Sequence, residues 1–210
     1  MSRAPADPLP PERFEELLRQ REPDPAIAPA SAVFLARYLS ELDHWRRKVN
    51  LTGRLSAEEL VHHATEALVP IDLLPPAASL VDIGSGAGFP GVPLAIARPD
   101  VLVTLLEPRG KRAAFLRHLV RALPLPAATV VEARIEEVGG QTFGAAATRA
   151  VGRLDRLVGE APFLEPGGSL FLWTTEPDQR ARELPAFELQ TVLPIPGSRR
   201  RVVAAFHRRR

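Results

Sequence analysis

The hydrophobic pattern of the chain changes near residue 79. Before that point apolar residues recur every three or four positions, which is typical of one face of an amphipathic helix. After it, short apolar runs alternate with helical periodicity, and this alternation predicts a mostly parallel sheet with helices on both faces. The pattern therefore predicts an α/β fold with a helical N-terminal extension, divided as residues 1–75 and 76–210.

The extension is predicted to hold three helices. The first covers Glu12–Gln20, behind a proline-rich tail. The second covers residues 31–49 and begins at Ser31, a residue type that caps helices. The third covers residues 56–73 and begins at the capping box Ser56–Glu59.

Seven strands are predicted after the extension. In chain order they are Leu80–Ile83, Val101–Leu106, Thr129–Glu132, Ala145–Arg149, Ser169–Thr174, Glu188–Pro194 and Arg201–Phe206. The intervening helices are predicted at residues 90–98, 111–123, 135–138, 153–164 and 177–184. A turn is expected at Pro166–Gly168, and the last two strands are expected to form an antiparallel hairpin at one edge of the sheet.

The most informative stretch is Leu80–Gly91, which reads LVDIGSGAGFPG. A strand ends at Ile83, and a glycine-dense turn leads into the start of a helix, where free N–H groups and bare main chain can meet a ligand. Gly84, Gly86 and Gly88 form the G-x-G-x-G pattern that is typical of methyltransferases using S-adenosylmethionine (SAM). The turn therefore predicts a SAM site.

A second register of the same turn predicts a different cofactor. Gly86, Gly88 and Gly91 also satisfy the G-x-G-x-x-G pattern of dinucleotide-binding proteins. This register fits less well, because Pro90 lacks the N–H group that a pyrophosphate would use. SAM has no pyrophosphate and tolerates the proline.

The ends of the other strands supply further candidates, since ligands of such sheets bind beyond the carboxyl ends of the strands. Glu107 follows the second strand, 23 residues after Gly84, and is predicted to accept hydrogen bonds from ribose hydroxyls. Ile135 and Glu136 follow the third strand and are placed to flank an adenine. Arg149 follows the fourth strand; it could bind the cofactor carboxylate, bind a substrate phosphate, or cap a helix. The predicted cofactor-binding residues are Gly84, Ser85, Gly86, Gly88, Phe89, Glu107, Ile135, Glu136 and Arg149.

The sequence offers no hydrolytic triad, cysteine nucleophile or carboxylate pair. Asp82 lies just before the turn and is predicted to organise it by hydrogen bonding rather than to act as a base. Methyl transfer to a nitrogen that has a free lone pair, such as guanine N7, needs no base; it requires only that this atom be aligned with the methyl group and that water be excluded. No residue is predicted to act in the chemical step itself, and Arg149 is a candidate positioning residue.

Composition narrows the class of the protein. Of its 210 residues, 45% are hydrophobic and 25% charged, which is ordinary for a globular protein, and none is cysteine. The five histidines show no metal-ligand spacing, so no metal is expected. No apolar run reaches about 18 residues and no signal peptide is evident, so we expect a cytoplasmic protein with no membrane segment, most simply a monomer.

The basic residues are nearly all arginines, with Lys48 and Lys111 as the only lysines among 27 basic residues. Clusters of basic residues therefore indicate RNA contact better than the total number of basic residues does. Tyr38 and Trp45 are predicted to belong to the core rather than to stack on bases. The candidate RNA-binding residues are Arg46, Arg47, Lys48, Lys111 and Arg112, whereas the arginine run at Arg208–Arg210 equally fits a solvated tail.

Two stretches, Leu80–Asp100 and Leu105–Arg117, closely resemble the bacterial 16S rRNA guanine-N7 methyltransferases, also called the glucose-inhibited division protein B family. Few other methyltransferases place Phe-Pro-Gly after the glycines, and the similarity covers roughly residues 31–175. The resemblance implies a class I SAM-dependent, Rossmann-like fold. It also implies methylation of N7 of one guanine in the 530 loop of 16S rRNA, within naked rRNA or the 30S subunit. In that family, the residues matching Gly84, Phe89, Ile135, Glu136 and Arg149 bind the cofactor.

The chain departs from the family pattern mostly on the presumed substrate side. The departures are Arg46, Glu66, Gly144, Thr174 and Thr175. Three alternatives remain open: a SAM methyltransferase of small molecules, an NAD-linked oxidoreductase, and a non-catalytic rRNA-binding factor of the same fold.

Overall fold

The computed structural model describes residues 7–21, 27–76, 78–149, 162–175 and 184–209. Its strands are β1 (Ser79–Ile83), β2 (Leu102–Leu106), β3 (Ala128–Val131), β4 (Phe143–Arg149), β5 (Leu164–Thr174), β6 (Phe187–Pro194) and β7 (Val202–Arg208).

The seven strands form one sheet in the order β3-β2-β1-β4-β5-β7-β6. Strands β1 to β5 pair in parallel. Strand β7 is antiparallel to both β5 and β6 and lies between them. The predicted mostly parallel sheet with a hairpin at one edge is therefore confirmed.

The strands at the centre of the sheet are buried on both faces. Residues 80–83 of β1 and 145–148 of β4 are all buried, which is why these segments are mostly apolar, with only Asp82 and Thr148 polar, and do not alternate. Successive side chains point to opposite faces. Leu80 accordingly belongs to one hydrophobic cluster and Val81 to another.

Five α-helices occur in the described residues: α1 (Pro11–Gln20), α2 (Pro29–Trp45), α3 (Ala57–Glu66), α4 (Gly91–Ala97) and α5 (Gly110–Ala122), with 3-10 turns at Ile71–Leu73 and Ile135–Glu137. Helix α2 contacts α1, α3, α4 and α5. As a result Phe14 of α1, Leu39 of α2 and Leu105 of β2 share one buried cluster. The extension thus covers one face of the α/β layer.

Three helix boundaries differ from the prediction by two or more residues, and one of them is the end of α2, which lies at Trp45 and not near residue 49. Helix α2 begins at Pro29, because proline is preorganised for the first turn, and Ser31 does not cap it. Helix α3 begins at the predicted capping box, with both reciprocal bonds present, but ends at Glu66. Pro70 explains this end, since proline disfavours helical conformation in the residue before it and brings no N–H group of its own.

The predicted turn at Pro166–Gly168 lies inside a strand. Strand β5 begins at Leu164, which pairs with Phe143, while Ser169 pairs with Ala145, so residues 165–168 form a bulge. The predicted helix at residues 153–164 lies outside the described residues except at its end. The same holds for the one at 177–184. No helix in the described part of the chain has the length and apolar content to cross a membrane.

Candidate cofactor and substrate site

The glycine turn joins β1 to α4 at the carboxyl edge of the sheet. Gly84, Gly86 and Gly88 have φ of 76°, 55° and 104°, in the left-handed region that side chains disfavour. Gly84 is exposed, and a Cβ built on it would meet no atom within 4 Å. Its main chain therefore faces open space, as the approach of a ligand requires. Ser85, in contrast, is buried, and its hydroxyl donates to the Asp82 carbonyl at 3.0 Å.

Glu107 follows β2, the neighbour of β1, and only 3% of its surface is exposed. Its Oε2 accepts a hydrogen bond from the Gly86 N–H at 3.0 Å, and its Oε1 accepts one from the Arg109 N–H at 2.8 Å. The carboxylate therefore fixes the glycine turn. Each oxygen has a second lone pair for a further donor, so the structure places Glu107 where the sequence predicted it, and its bond to ribose stays a prediction.

Asp82 lies fully buried beneath the turn. Its Oδ2 accepts the Gly91 N–H at 3.0 Å, which confirms the predicted organising role. A Cβ on Gly91 would lie 2.6 Å from this oxygen, so glycine is required there. Burial raises the pKa of Asp82 to about 7, because desolvation of the charged form outweighs the bond from Gly91.

Arg149 ends β4 and reaches back to helix α3. Its Nη2 lies 2.9 Å from His63 Nδ1 and 3.2 Å from Glu66 Oε1. Its guanidinium carbon lies 5.7 Å from the centroid of the Phe89 ring in the glycine turn. Burial lowers the pKa of Arg149, and the adjacent Glu66 opposes that shift. Arg149 thus links α3, β4 and the turn.

Glu66 is the centre of a network that sequence analysis missed. Its Oε2 forms an ion pair with Arg201 Nη2 at 2.9 Å. Among the described residues, no donor is aligned to make a hydrogen bond to this oxygen. Arg201 also approaches His62 Nε2 at 2.9 Å. Burial alone would raise the pKa of Glu66, but His63 and the two arginines lower it below its ordinary value. A buried glutamate demands such partners, yet nothing in the sequence spacing shows which they are.

Ile135 and Glu136 form the 3-10 turn that follows β3. Ile135 is buried and Glu136 is exposed. Because β3, β2, β1 and β4 are consecutive parallel neighbours, their carboxyl ends lie along one edge of the sheet. The structure therefore brings the predicted cofactor-binding residues to the same edge.

Two of the predicted RNA contacts, Lys111 and Arg112, lie in the first turn of α5. Arg112 donates from Nε and Nη2 to the Asn50 carbonyl at 3.2 and 3.1 Å. Its Nη1 lies 3.6 Å from the position of a Cβ on Gly86. Lys111, the preceding residue, is exposed on the first turn of α5. Arg112 is thus placed beside the predicted cofactor site.

The other three predicted RNA contacts lie at the end of α2. Arg46 and Arg47 pair with the buried Asp43 at 2.6 and 2.9 Å, and Arg46 also donates to the Leu55 carbonyl at 2.6 Å. Lys48 Nζ lies 3.2 Å from His44 Nε2. The structure gives Arg46 and Arg47 a role in holding the extension together. Their contact with RNA stays a prediction.

The described residues contain no group of three or more histidine, aspartate or glutamate side chains arranged to hold a metal ion. The site is therefore built from main chain, carboxylates, arginines and aromatic rings.

The strand order, with an antiparallel β7 inserted beside β5, and the glycine turn after β1 define a class I SAM-dependent methyltransferase fold. The chain is similar to a ribosomal protein L11 methylase from Lactobacillus delbrueckii subsp. bulgaricus (TM-score 0.58, 12% identity, 76% of this chain and 81% of that one). It is also similar to TrmN from Thermus thermophilus (TM-score 0.57, 20% identity, 82% and 52%). At these identities the similarity concerns the fold alone.

The family of rRNA small subunit methyltransferase G (GidB) matches residues 33–190, and the chain belongs to this family. A relative with that name from Wolinella succinogenes is 38% identical over 143 residues, which cover 68% of this chain and 74% of the relative. One from Roseiflexus sp. (strain RS-1) is 47% identical over 106 residues, 50% of this chain and 45% of the relative. The chain thus spans about half the length of some relatives that it matches. The family prediction is confirmed, and the cofactor of this class is SAM, not NAD.

Proposed function

We propose that this protein transfers the methyl group of SAM to N7 of a guanine in the 530 loop of 16S rRNA. The proposal depends above all on one observation, the exposed main chain of Gly84 at the carboxyl edge of β1, in the turn to which Glu107 is hydrogen-bonded. Membership of the rRNA small subunit methyltransferase G family supports rRNA as the substrate. We place the reaction in the cytoplasm, with a monomeric enzyme and either naked 16S rRNA or the 30S subunit as substrate.

The residues present fit the cofactor. The bare main chain of Gly84 admits close approach of a ligand, and Glu107 supplies a carboxylate for ribose hydroxyls. Ile135 and Glu136 would flank the adenine, and Arg149 would attract the carboxylate of the methionine part. When bound, SAM supplies a methyl group activated by its sulfonium charge.

The chain's own residues have to orient the guanine and exclude water, since guanine N7 carries no proton to remove. Phe89 is suited to this task. Phe89 is partly buried, and its ring lies 5.5 Å from that of the fully buried Tyr38 and 5.8 Å from that of His63, so the ring is held in place beside the turn. Asp82 is buried beneath the turn and bonded to Gly91, which places it away from a substrate.

The test is to map N7-methylguanine in 16S rRNA from cells with and without the gene, and to assay the purified protein with labelled SAM. We expect one methylated guanine that disappears with the gene, and transfer to either naked 16S rRNA or 30S subunits in vitro. Transfer to small molecules but not to RNA would support the small-molecule alternative. RNA binding without transfer would support a non-catalytic factor.

A further inference from the structure

A groove opens between α2 and α5, and none of the predicted cofactor-binding residues lines it. Its volume is about 460 Å³, within the range of roughly 300–1,000 Å³ that ligand pockets occupy. We call this cavity the α2–α5 groove. The residues that line it are Glu41, His44, Trp45, Lys48 and His118. They combine three flat rings with one lysine, and a combination of rings and a cation is typical of nucleotide-binding surfaces.

The rings in the α2–α5 groove are held in place from below. Trp45 and His118 have centroids 5.1 Å apart with 38° between their planes, and Trp45 also lies 5.6 Å from the ring of Phe115. Phe115 is fully buried, and Trp45 packs against the core as the sequence predicted, but it is only partly buried and so also lines the groove. The His118 side chain remains 34% exposed. The groove therefore offers a partly open aromatic surface with little freedom to lose on binding.

Three exposed basic side chains lie in the groove or on the face of α5 beside it. The one acidic lining residue, Glu41, is engaged by His118, with Oε2 and Nε2 2.8 Å apart. Lys48 lines the groove, and Lys111 and Arg121 are exposed on the α5 face that bears His118, seven residues before it and three after it. These basic side chains favour a polyanion as the ligand.

We propose that the α2–α5 groove binds an unpaired nucleotide of the substrate RNA, with its base against Trp45 and His118 and its phosphate beside Lys48. The proposal rests on the proposed function. Single-stranded RNA is bound in this way, by bases stacked on aromatic or histidine rings and by cations on the backbone. Lys111 and His118 are two helical turns apart, about 10 Å along α5. An RNA chain along this helix therefore reaches from the glycine turn, beside Arg112, to the groove.

The two tryptophans of the chain allow a direct test. In the variant Trp173→Phe, Trp45 is the only tryptophan left, so its fluorescence reports on the groove. We expect a short adenine-rich single-stranded RNA to quench this fluorescence, and the same strand with abasic sites to quench it far less. Lys48→Glu should weaken binding about tenfold, since it removes a phosphate contact and adds repulsion.

Arg19→Glu is the matched control, because it makes the same charge reversal at an exposed position of α1. Its affinity for the RNA should stay within about twofold of the parent protein's. Equal quenching by the intact and abasic strands, or equal weakening in Lys48→Glu and Arg19→Glu, would overturn the proposal. So would equal binding of polyglutamate, which would indicate a surface for an acidic peptide.

A parallel assay of methyl transfer separates this proposal from the function on which it rests. Transfer to 16S rRNA without base-dependent quenching of Trp45 would refute the groove and leave the function standing. Base-dependent quenching without any transfer would support the groove and refute the function.

Discussion

At the scale of single residues, Glu107 has a structural role in the glycine turn that the sequence did not indicate. It was expected to bind ribose, and it also binds two main-chain N–H groups, of Gly86 and Arg109. Removing the carboxylate therefore loosens the glycine turn and removes the predicted acceptor for the ribose hydroxyls. Both effects weaken cofactor binding.

We predict that Glu107→Ala lowers the affinity for SAM at least about tenfold, which is about 1.4 kcal/mol. Isothermal titration calorimetry measures this directly. Glu132→Ala is the control, because Glu132 is exposed and pairs with Arg117. Unchanged affinity in Glu107→Ala, with an intact circular dichroism spectrum, would remove the ribose assignment.

Asp82 makes stability depend on pH. Its pKa is raised from the ordinary 3.8 to about 7, so in this range the folded protein holds a proton that the unfolded chain has lost. The stability that this proton contributes is complete below the unfolded pKa and is lost as pH rises through the folded pKa. Replacing Asp82 by a residue that cannot titrate removes this dependence of stability on pH.

We therefore predict that the unfolding free energy of Asp82→Asn, relative to that of the natural protein, rises by about 2 kcal/mol between pH 5 and pH 7. Urea titrations at several pH values measure it. The control is Asp72→Asn, because Asp72 is exposed in the 3-10 turn Ile71–Leu73. This variant should show no such rise. Parallel pH profiles for Asp82→Asn and the natural protein would contradict the assignment.

At the scale of elements, the sequence predicted most of the strands within one or two residues. β1 and β4 are buried on both faces, so each appears as a short, mostly apolar run, although the alanine-rich run of β4 is a weak signal for a strand. The glycine turn and Glu107 followed from the strand ends, because parallel strands bring their carboxyl ends together. The Glu66 network could not be predicted in this way. Glu66 and Arg149 lie 83 residues apart in the chain, and only tertiary packing brings them into contact.

The Glu66 network joins helix α3 to β4 and to the residue before β7. The side chain of Glu66 is 1% exposed and faces Arg149 and Arg201. Neutralising it leaves two partly buried arginines without their shared counter-charge, and the loss of one partner of a buried ion pair is costly. We predict that Glu66→Gln lowers the unfolding free energy by about 3 kcal/mol, measured by urea denaturation.

Glu16→Gln is the matched control for that measurement. Glu16 pairs with Arg13 on α1, and both side chains are about half exposed, so its loss should cost less than about 1 kcal/mol. Equal costs for the two variants would show that the Glu66 network adds nothing beyond an ordinary surface pair.

At the scale of the whole molecule, the helical extension and the sheet share one core. Leu39 of α2 and Phe14 of α1 are fully buried in the same cluster as Leu105 of β2. Such a shared core predicts one cooperative unfolding transition for both parts. The division of the chain at residue 75 would then mark a change of architecture and not a boundary of stability.

The two tryptophans measure this cooperativity, because Trp45 ends α2 and Trp173 lies in β5. We predict that Trp45→Phe and Trp173→Phe, each reporting through the tryptophan that remains, show fluorescence transitions that coincide with loss of helical circular dichroism in the same variant. Leu39→Ala should shift both transitions together by about 2–5 kcal/mol, since it opens a cavity in the shared cluster. An extension that melts first would give an early Trp45 transition and a separate, later one for Trp173, and Leu39→Ala would then move only the first.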